Sequence, residues 1–140
     1  MVAALVHDEE VRIASVGDSR AWLLEHGELR QLTEDQTWVN EVGRPAGLSE
    51  EKLRRHPARH VLTMALGVGR SLRVQTLTVK PALESVLLLA SDGLHGPVPP
   101  EVIRQVLLQE ISLEARAHLL VEAAEKAGGP DNVTVVLIGN

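Results

Sequence analysis

Val86-Leu87-Leu88-Leu89-Ala90, followed at once by Ser91-Asp92-Gly93, is the stretch that decides the fold. Five apolar residues in unbroken succession read as a strand buried on both faces. Downstream, Pro100 to Gln109 reads as a helix, with Pro in its first turn and Val102, Ile103, Val106 and Leu107 on one face. Ser112 caps a second helix. Its stripe is Leu113, Ala117, Leu120, Ala124 and Ala127, and Gly128 ends it. Val133 to Ile138 is expected to be a final buried strand. Upstream, Val74 to Val79 reads as a strand. The first third reads as hairpins. Val2 to Val6 and Val11 to Val16 flank a polar turn at His7 to Glu10, and Arg20 to Glu25 and Leu29 to Leu32 flank a tight turn at His26-Gly27. Strands followed by helices, joined mostly by hairpins, predict an α+β layered sandwich. Met1 opens directly into a strand, and a sheet edge left bare in that way invites pairing.

The middle of the chain has a different texture. From Thr33 to His60 charge is dense and strand signals vanish. Thr33 is expected to cap a short helix starting at Glu34, broken by Gly43 to Gly47. Ser49-Glu50-Glu51-Lys52-Leu53 reads as another brief helix, ended by Pro57. The stretch reads as a polar, mobile insertion.

Bulk properties exclude several functions. One domain fits 140 residues, and 44% apolar residues suffice for a core. Trp22 and Trp38 are the only aromatics, so that core is built from Leu, Val, Ile and Ala. A net charge of −5, with no basic stripe and no stacking platform, argues against nucleic acid. No apolar run reaches the roughly 18 residues of a membrane span, and residues 1 to 6 do not read as a signal peptide. The absence of cysteine rules out disulfides and thiolate chemistry and suits a cytoplasmic protein.

Three aspartates stand beside glycine at strand ends. Asp18 lies in Val16-Gly17-Asp18-Ser19-Arg20, Asp92 in Ser91-Asp92-Gly93, and Asp131 in Gly128-Gly129-Pro130-Asp131-Asn132. Taken singly, each is a turn former before it is a ligand. Together, at one rim of a sandwich, they would repel and raise one another's pKa unless a cation intervened. An all-oxygen set favours a hard ion, Mg²⁺ or Mn²⁺. A water acidified by such an ion is a nucleophile for a phosphate ester.

An ordered series of short motifs carries a resemblance. Val16-Gly17-Asp18-Ser19-Arg20-Ala21, Leu32-Thr33-Glu34-Asp35, His56-Pro57, Leu62-Thr63, Ala65-Leu66-Gly67, Ser91-Asp92-Gly93-Leu94 and Gly129-Pro130-Asp131-Asn132-Val133-Thr134 follow the order seen in bacterial type 2C phosphatases. The chain thus resembles the C-terminal part of a metal-dependent serine/threonine protein phosphatase. The resemblance implies hydrolysis of phosphoserine and phosphothreonine, with a phosphoprotein substrate and a serine/threonine kinase or its targets as partners. It implies an α-β-β-α sandwich, incomplete here, with residues 1–140 forming one partial phosphatase domain and residues 33–60 its flap. Asp92 and Asp131 resemble ligands of a dinuclear Mn/Mg centre, and Asp18 a ligand of a third, looser metal that Asp92 shares. The aspartate that bridges the two core metals and the arginine that grips phosphate have no counterpart in these 140 residues. Weak or absent metal binding and poor activity are therefore expected of the chain alone. Gln36 stands where a His is usual, and Met64 where an Arg often precedes Ala-Leu-Gly. The competing reading is a degenerate, non-catalytic module that binds a partner or phosphopeptide.

Other candidates are weaker. His56 and His60 stand four apart, but Pro57 argues against the helix that would pair them on a metal. Gly67-Val68-Gly69-Arg70 lacks the setting of a phosphate loop and reads as a turn. Ser19 and Ser91 lack a nucleophile elbow. Arg54, Arg55 and Arg59 read as a solvated face that an acidic phosphopeptide could meet. His95 lies near Asp92 in sequence with no assigned role, and no residue stands out as a general acid.

Overall fold

The computed structural model describes residues 1–69 and 71–139, so Arg70 of the glycine-rich turn lies outside it. Among the described residues seven strands form two antiparallel sheets. In chain order they are β1 (Val2–His7), β2 (Glu10–Ser15), β3 (Arg20–Glu25), β4 (Glu28–Gln31), β5 (Gln75–Val79), β6 (Val86–Ala90) and β7 (Val135–Gly139). One sheet has the order β1-β2-β5 and the other β4-β3-β6-β7. The two expected hairpins are present. His26 and Gly27 both have positive φ, 51° and 79°, as a two-residue turn between right-twisted strands requires.

β6 is buried along its whole length, because it is sandwiched on both faces. On one side Leu87 and Leu89 meet Val11 and Ile13 of β2 and Ala21 of β3 in the core between the sheets. On the other, Val86, Leu88 and Ala90 meet the helical layer. That layer is α3 (Pro100–Leu107) and α4 (Leu113–Lys126). Ile103, Leu107 and Leu120, all within 1% of complete burial, anchor it. Each such side chain contributes roughly 1.5–3 kcal/mol over its exposed state. The Ser112 hydroxyl accepts a bond from Ala115 N–H, as expected of the cap. Among the described residues helices cover one sheet only; Ala3, Leu5, Arg12, Thr76 and Thr78 on the far face of the other sheet are exposed.

Two local expectations are corrected. Val133 to Ile138 is not a fully buried strand: it starts at Val135 and forms the edge of its sheet, with Val136 46% exposed. An edge strand in an antiparallel sheet needs one apolar face only. Thr33 caps no helix. It is buried, and its hydroxyl accepts a bond from Ala21 N–H across the β3–β4 hairpin, so a sheet edge takes the oxygen a cap would use.

Residues 33–60 are better packed than their charge suggests. A single π-helical turn spans Val39–Gly43, and α1 (Glu50–Arg55) begins at its Ser49 cap. Trp38 stacks on His56 with centroids 3.9 Å apart, and Leu53 is buried. Gly43 is required there, since a Cβ would collide with Leu53 and sit 2.9 Å from the Trp38 ring. His56 Nδ1 accepts a bond from Ala58 N–H. The sequence expectation against a His56–His60 helix holds.

Candidate metal and phosphate site

The three aspartates are delivered by three different connections. Asp18 lies in the turn that crosses from β2 to β3, between the sheets. Gly17 makes that turn with φ 92°. Gln36 holds it: its Oε1 accepts from Gly17 N–H at 2.8 Å, its backbone N–H donates to the Gly17 carbonyl, and its Nε2 donates to the Arg73 carbonyl. Gln36 is 3% exposed with every polar group engaged. The residue that stood out in sequence as a departure is thus a buried clamp. Gln36→Ala is expected to destabilise the chain by about 1–3 kcal/mol, because it strands a buried N–H. Urea unfolding measures this, and an unchanged midpoint would contradict the clamp.

Asp92 opens α2 (Asp92–His95), one residue past β6. Asp131 precedes β7. The two segments are zipped together. Ser91 N–H donates to the Thr134 carbonyl, Ser91 Oγ accepts from Thr134 N–H at 3.0 Å, and the same hydroxyl lies 3.2 Å from the Asn132 carbonyl. Gly93 lets them touch: a Cβ there would lie 2.8 Å from the Asn132 carbonyl carbon and nearer still to its oxygen. Ser91 therefore has a structural task, consistent with its rejection as a nucleophile.

Asp18, Asp92 and Asp131 line one open cleft of about 880 Å³. Burial, then the charge of Asp92, raises the Asp18 pKa above the ordinary carboxylate value. Asp131 Oδ1 accepts from Asn132 N–H. Among the described residues no three His, Cys, Asp or Glu side chains are close enough to hold one ion between them. The donor set still fits a hard, strongly hydrated cation, which takes one or two carboxylates and keeps several waters.

The segment 33–60 also lines the cleft, through Thr37, Val39, Asn40, Arg44, Arg59 and His60. Its anchor is Arg20, whose Nε and Nη2 meet the two oxygens of Asp35 at 2.8 and 2.6 Å. Asp35 is further held by Gln31, and its carbonyl by Asn40 Nδ2. Asn40 Oδ1 also accepts from Arg44. A bidentate pair in so shielded a place is stronger than a surface pair. His95, on α2, is half-buried and lines the cleft, and its burial, reinforced by the Arg20 charge, lowers its pKa. Sequence reading missed Gln36 as a clamp and gave His95 no role, because their partners lie 19 and 77 positions away.

No protein-family model matches the chain. Relatives do. The serine/threonine phosphatase stp of Listeria welshimeri is 41% identical over 138 residues, 99% of this chain and 55% of that protein. The S. agalactiae serine/threonine phosphatase superposes with a TM-score of 0.93 at 28% identity, covering 99% of this chain and 58% of that one. The chain belongs to the type 2C serine/threonine phosphatase family. It spans about half the length of the Listeria phosphatases it matches. A PstP catalytic domain solved in complex with two manganese ions matches with a TM-score of 0.82 at 34% identity over 97% of this chain and 56% of that one. The α+β fold expected from the sequence is therefore that of these phosphatases. No helix of the described residues is long and apolar enough to cross a membrane.

Proposed function

We propose that this phosphatase-family chain takes part in metal-dependent hydrolysis of phosphoserine and phosphothreonine in proteins, with Asp18, Asp92 and Asp131 as the residues that hold metal. The observation that carries the reading is that those three aspartates line one cleft together with Arg44, Arg59 and His60. Bound Mn²⁺ or Mg²⁺ supplies charge neutralisation and an activated water at neutral pH. The chain's own residues orient that chemistry. The aspartates fix one wall from strand ends, and Arg20–Asp35 fixes the flap, residues 33–60, on the other. Arg59, exposed on that wall, is placed to meet the phosphate or acidic flank of a peptide. A cytoplasmic location, and substrates that include a serine/threonine kinase or its targets, agree with this chemistry.

The test is a calorimetric titration of Mn²⁺ into the 140-residue chain, with a phosphothreonine peptide assay alongside. Weak binding and slow, Mn²⁺-dependent release of phosphate are expected. Turnover is slow because the bridging aspartate and phosphate-gripping arginine implied by the family resemblance are not among these residues. Loss of one contact to the developing charge lowers rate by ~10²–10³. A chain that binds no Mn²⁺, or one that turns over peptide equally well in chelator, would overturn the proposal.

A further inference from the structure

The β3–β6 ladder that leads to the site ends at the pair Arg20↔Ala90. Beyond it the two strands part, one toward Asp18 and the other toward Asp92. Among the described residues a single hydrogen bond crosses that gap: His95 Nε2 lies 3.0 Å from the Asp18 carbonyl oxygen. A carbonyl only accepts, so this nitrogen carries the hydrogen and donates. The ring is oriented from behind. It packs edge-on against Trp22, with centroids 5.5 Å apart and an interplanar angle of 71°. Trp22 is 2% exposed in the helix-facing core. His95 also stands three residues after Asp92 on the same short helix, whose Gly96 N–H bonds back to the Asp92 carbonyl. The helix, the ring and the turn are therefore linked.

We infer that His95 is a positioning residue, which locks the Asp18 turn onto α2 and so sets the separation of the Asp18 and Asp92 carboxylates. The inference rests on the metal reading above. Without the link, the Asp18 turn is held only through its neighbours, at Gly17 by Gln36 and at Val16 by Met1, and the mutual repulsion of two carboxylates favours their drifting apart. A residue that orients ligands without touching metal typically changes affinity 10–100-fold, and the lower end is expected here because the contact is to backbone.

His95→Phe keeps a flat ring against Trp22 and removes the donor; His95→Gln keeps an N–H at a similar reach. Mn²⁺ titration of the full chain is expected to give about tenfold weaker binding for the Phe variant and near-parental binding for Gln. In an Asp18→Asn background the two His95 variants are expected to bind alike, since there is no Asp18 carboxylate left to place. Nitrogen NMR of the parental imidazole is expected to find the hydrogen on Nε2, and this holds even if the Phe variant does not fold. Parental affinity in His95→Phe, an equal loss in Phe and Gln, or an Nε2 without hydrogen would overturn the inference while leaving the metal reading intact. A parental chain that binds no Mn²⁺ would overturn both.

Discussion

Gly93→Ala is expected to be the most disruptive single-methyl change in the chain. The added carbon would overlap the Asn132 carbonyl, and the obstacle is backbone, which cannot swing aside as a side-chain tip can. Overpacking of this kind typically costs about 1–3 kcal/mol and sometimes more. Here the upper end is expected, because both segments are pinned. On one side Gly93 and Leu94 are buried against the core. On the other, Ser91 and Thr134 are tied by reciprocal bonds. Relief requires the zipper to open, so α2 and the Asp131 turn would separate. Two measurements then move together: the urea midpoint falls by an amount equivalent to about 2 kcal/mol or more, roughly an eighth to two fifths of a small domain's margin, and Mn²⁺ binding is lost. A variant with parental stability and parental Mn²⁺ affinity would show that the Asp92–Asp131 contact is loose.

That zipper marks a limit of what the sequence discloses. The apolar run of β6, the brief helix around Glu50 to Leu53, the Ser112 cap and the His26-Gly27 turn were legible, because each depends on residues within a few positions. Asp92 and Asp131 were legible as turn residues and, through the motif order, as candidate ligands. What brings them together was not: the reason Gly93 is glycine lies 39 residues away in Asn132. Thr33 failed for the same reason. Its local pattern is that of a cap, but its hydroxyl finds Ala21 first. Residues 33–60 misled through composition. Dense charge hid a small packed cluster of Trp38, Leu53 and His56 around a glycine. β7 looked buried because its apolar run is continuous, yet nothing in a run of Val and Leu says whether a further strand lies beyond it.

Removing carboxylates is expected to separate stability from metal affinity, with opposite signs. Burial and the Asp92 charge raise the folded-state pKa of Asp18 above the ordinary aspartate value. The sign follows from linkage. A group whose folded pKa is raised binds its proton more tightly in the folded state. Its favourable contribution is complete below the unfolded pKa and is lost as pH rises through the folded pKa. At neutral pH the metal-free chain therefore carries an ionised Asp18 that opposes folding. Asp18→Asn is expected to raise the melting temperature of the metal-free chain at pH 7 and to change it little near pH 3, where the acid is already protonated in both states. With Mn²⁺ the order reverses. The parent gains RT ln(1 + [L]/Kd), about 2.7 kcal/mol at a hundredfold excess over Kd, and the variant gains less. Asp92→Asn is expected to have the larger effect on Mn²⁺ binding, on the order of 100-fold against about tenfold for Asp18→Asn, if loss of a ligand is at least as severe as loss of its supporting shell. The reason is twofold. The family resemblance gives Asp92 a share in two metal positions, and its charge is also the second cause of the raised Asp18 pKa. Asp92→Asn should thus lower the pH at which Mn²⁺ binding by the remaining carboxylates begins, since Asp18 would ionise sooner. Calorimetry of both variants across pH 4 to 8 decides the matter. Equal Mn²⁺ affinity in parent and Asp92→Asn, or a metal-free Asp18→Asn chain that melts lower than the parent at pH 7, would refute the coupling between these two residues.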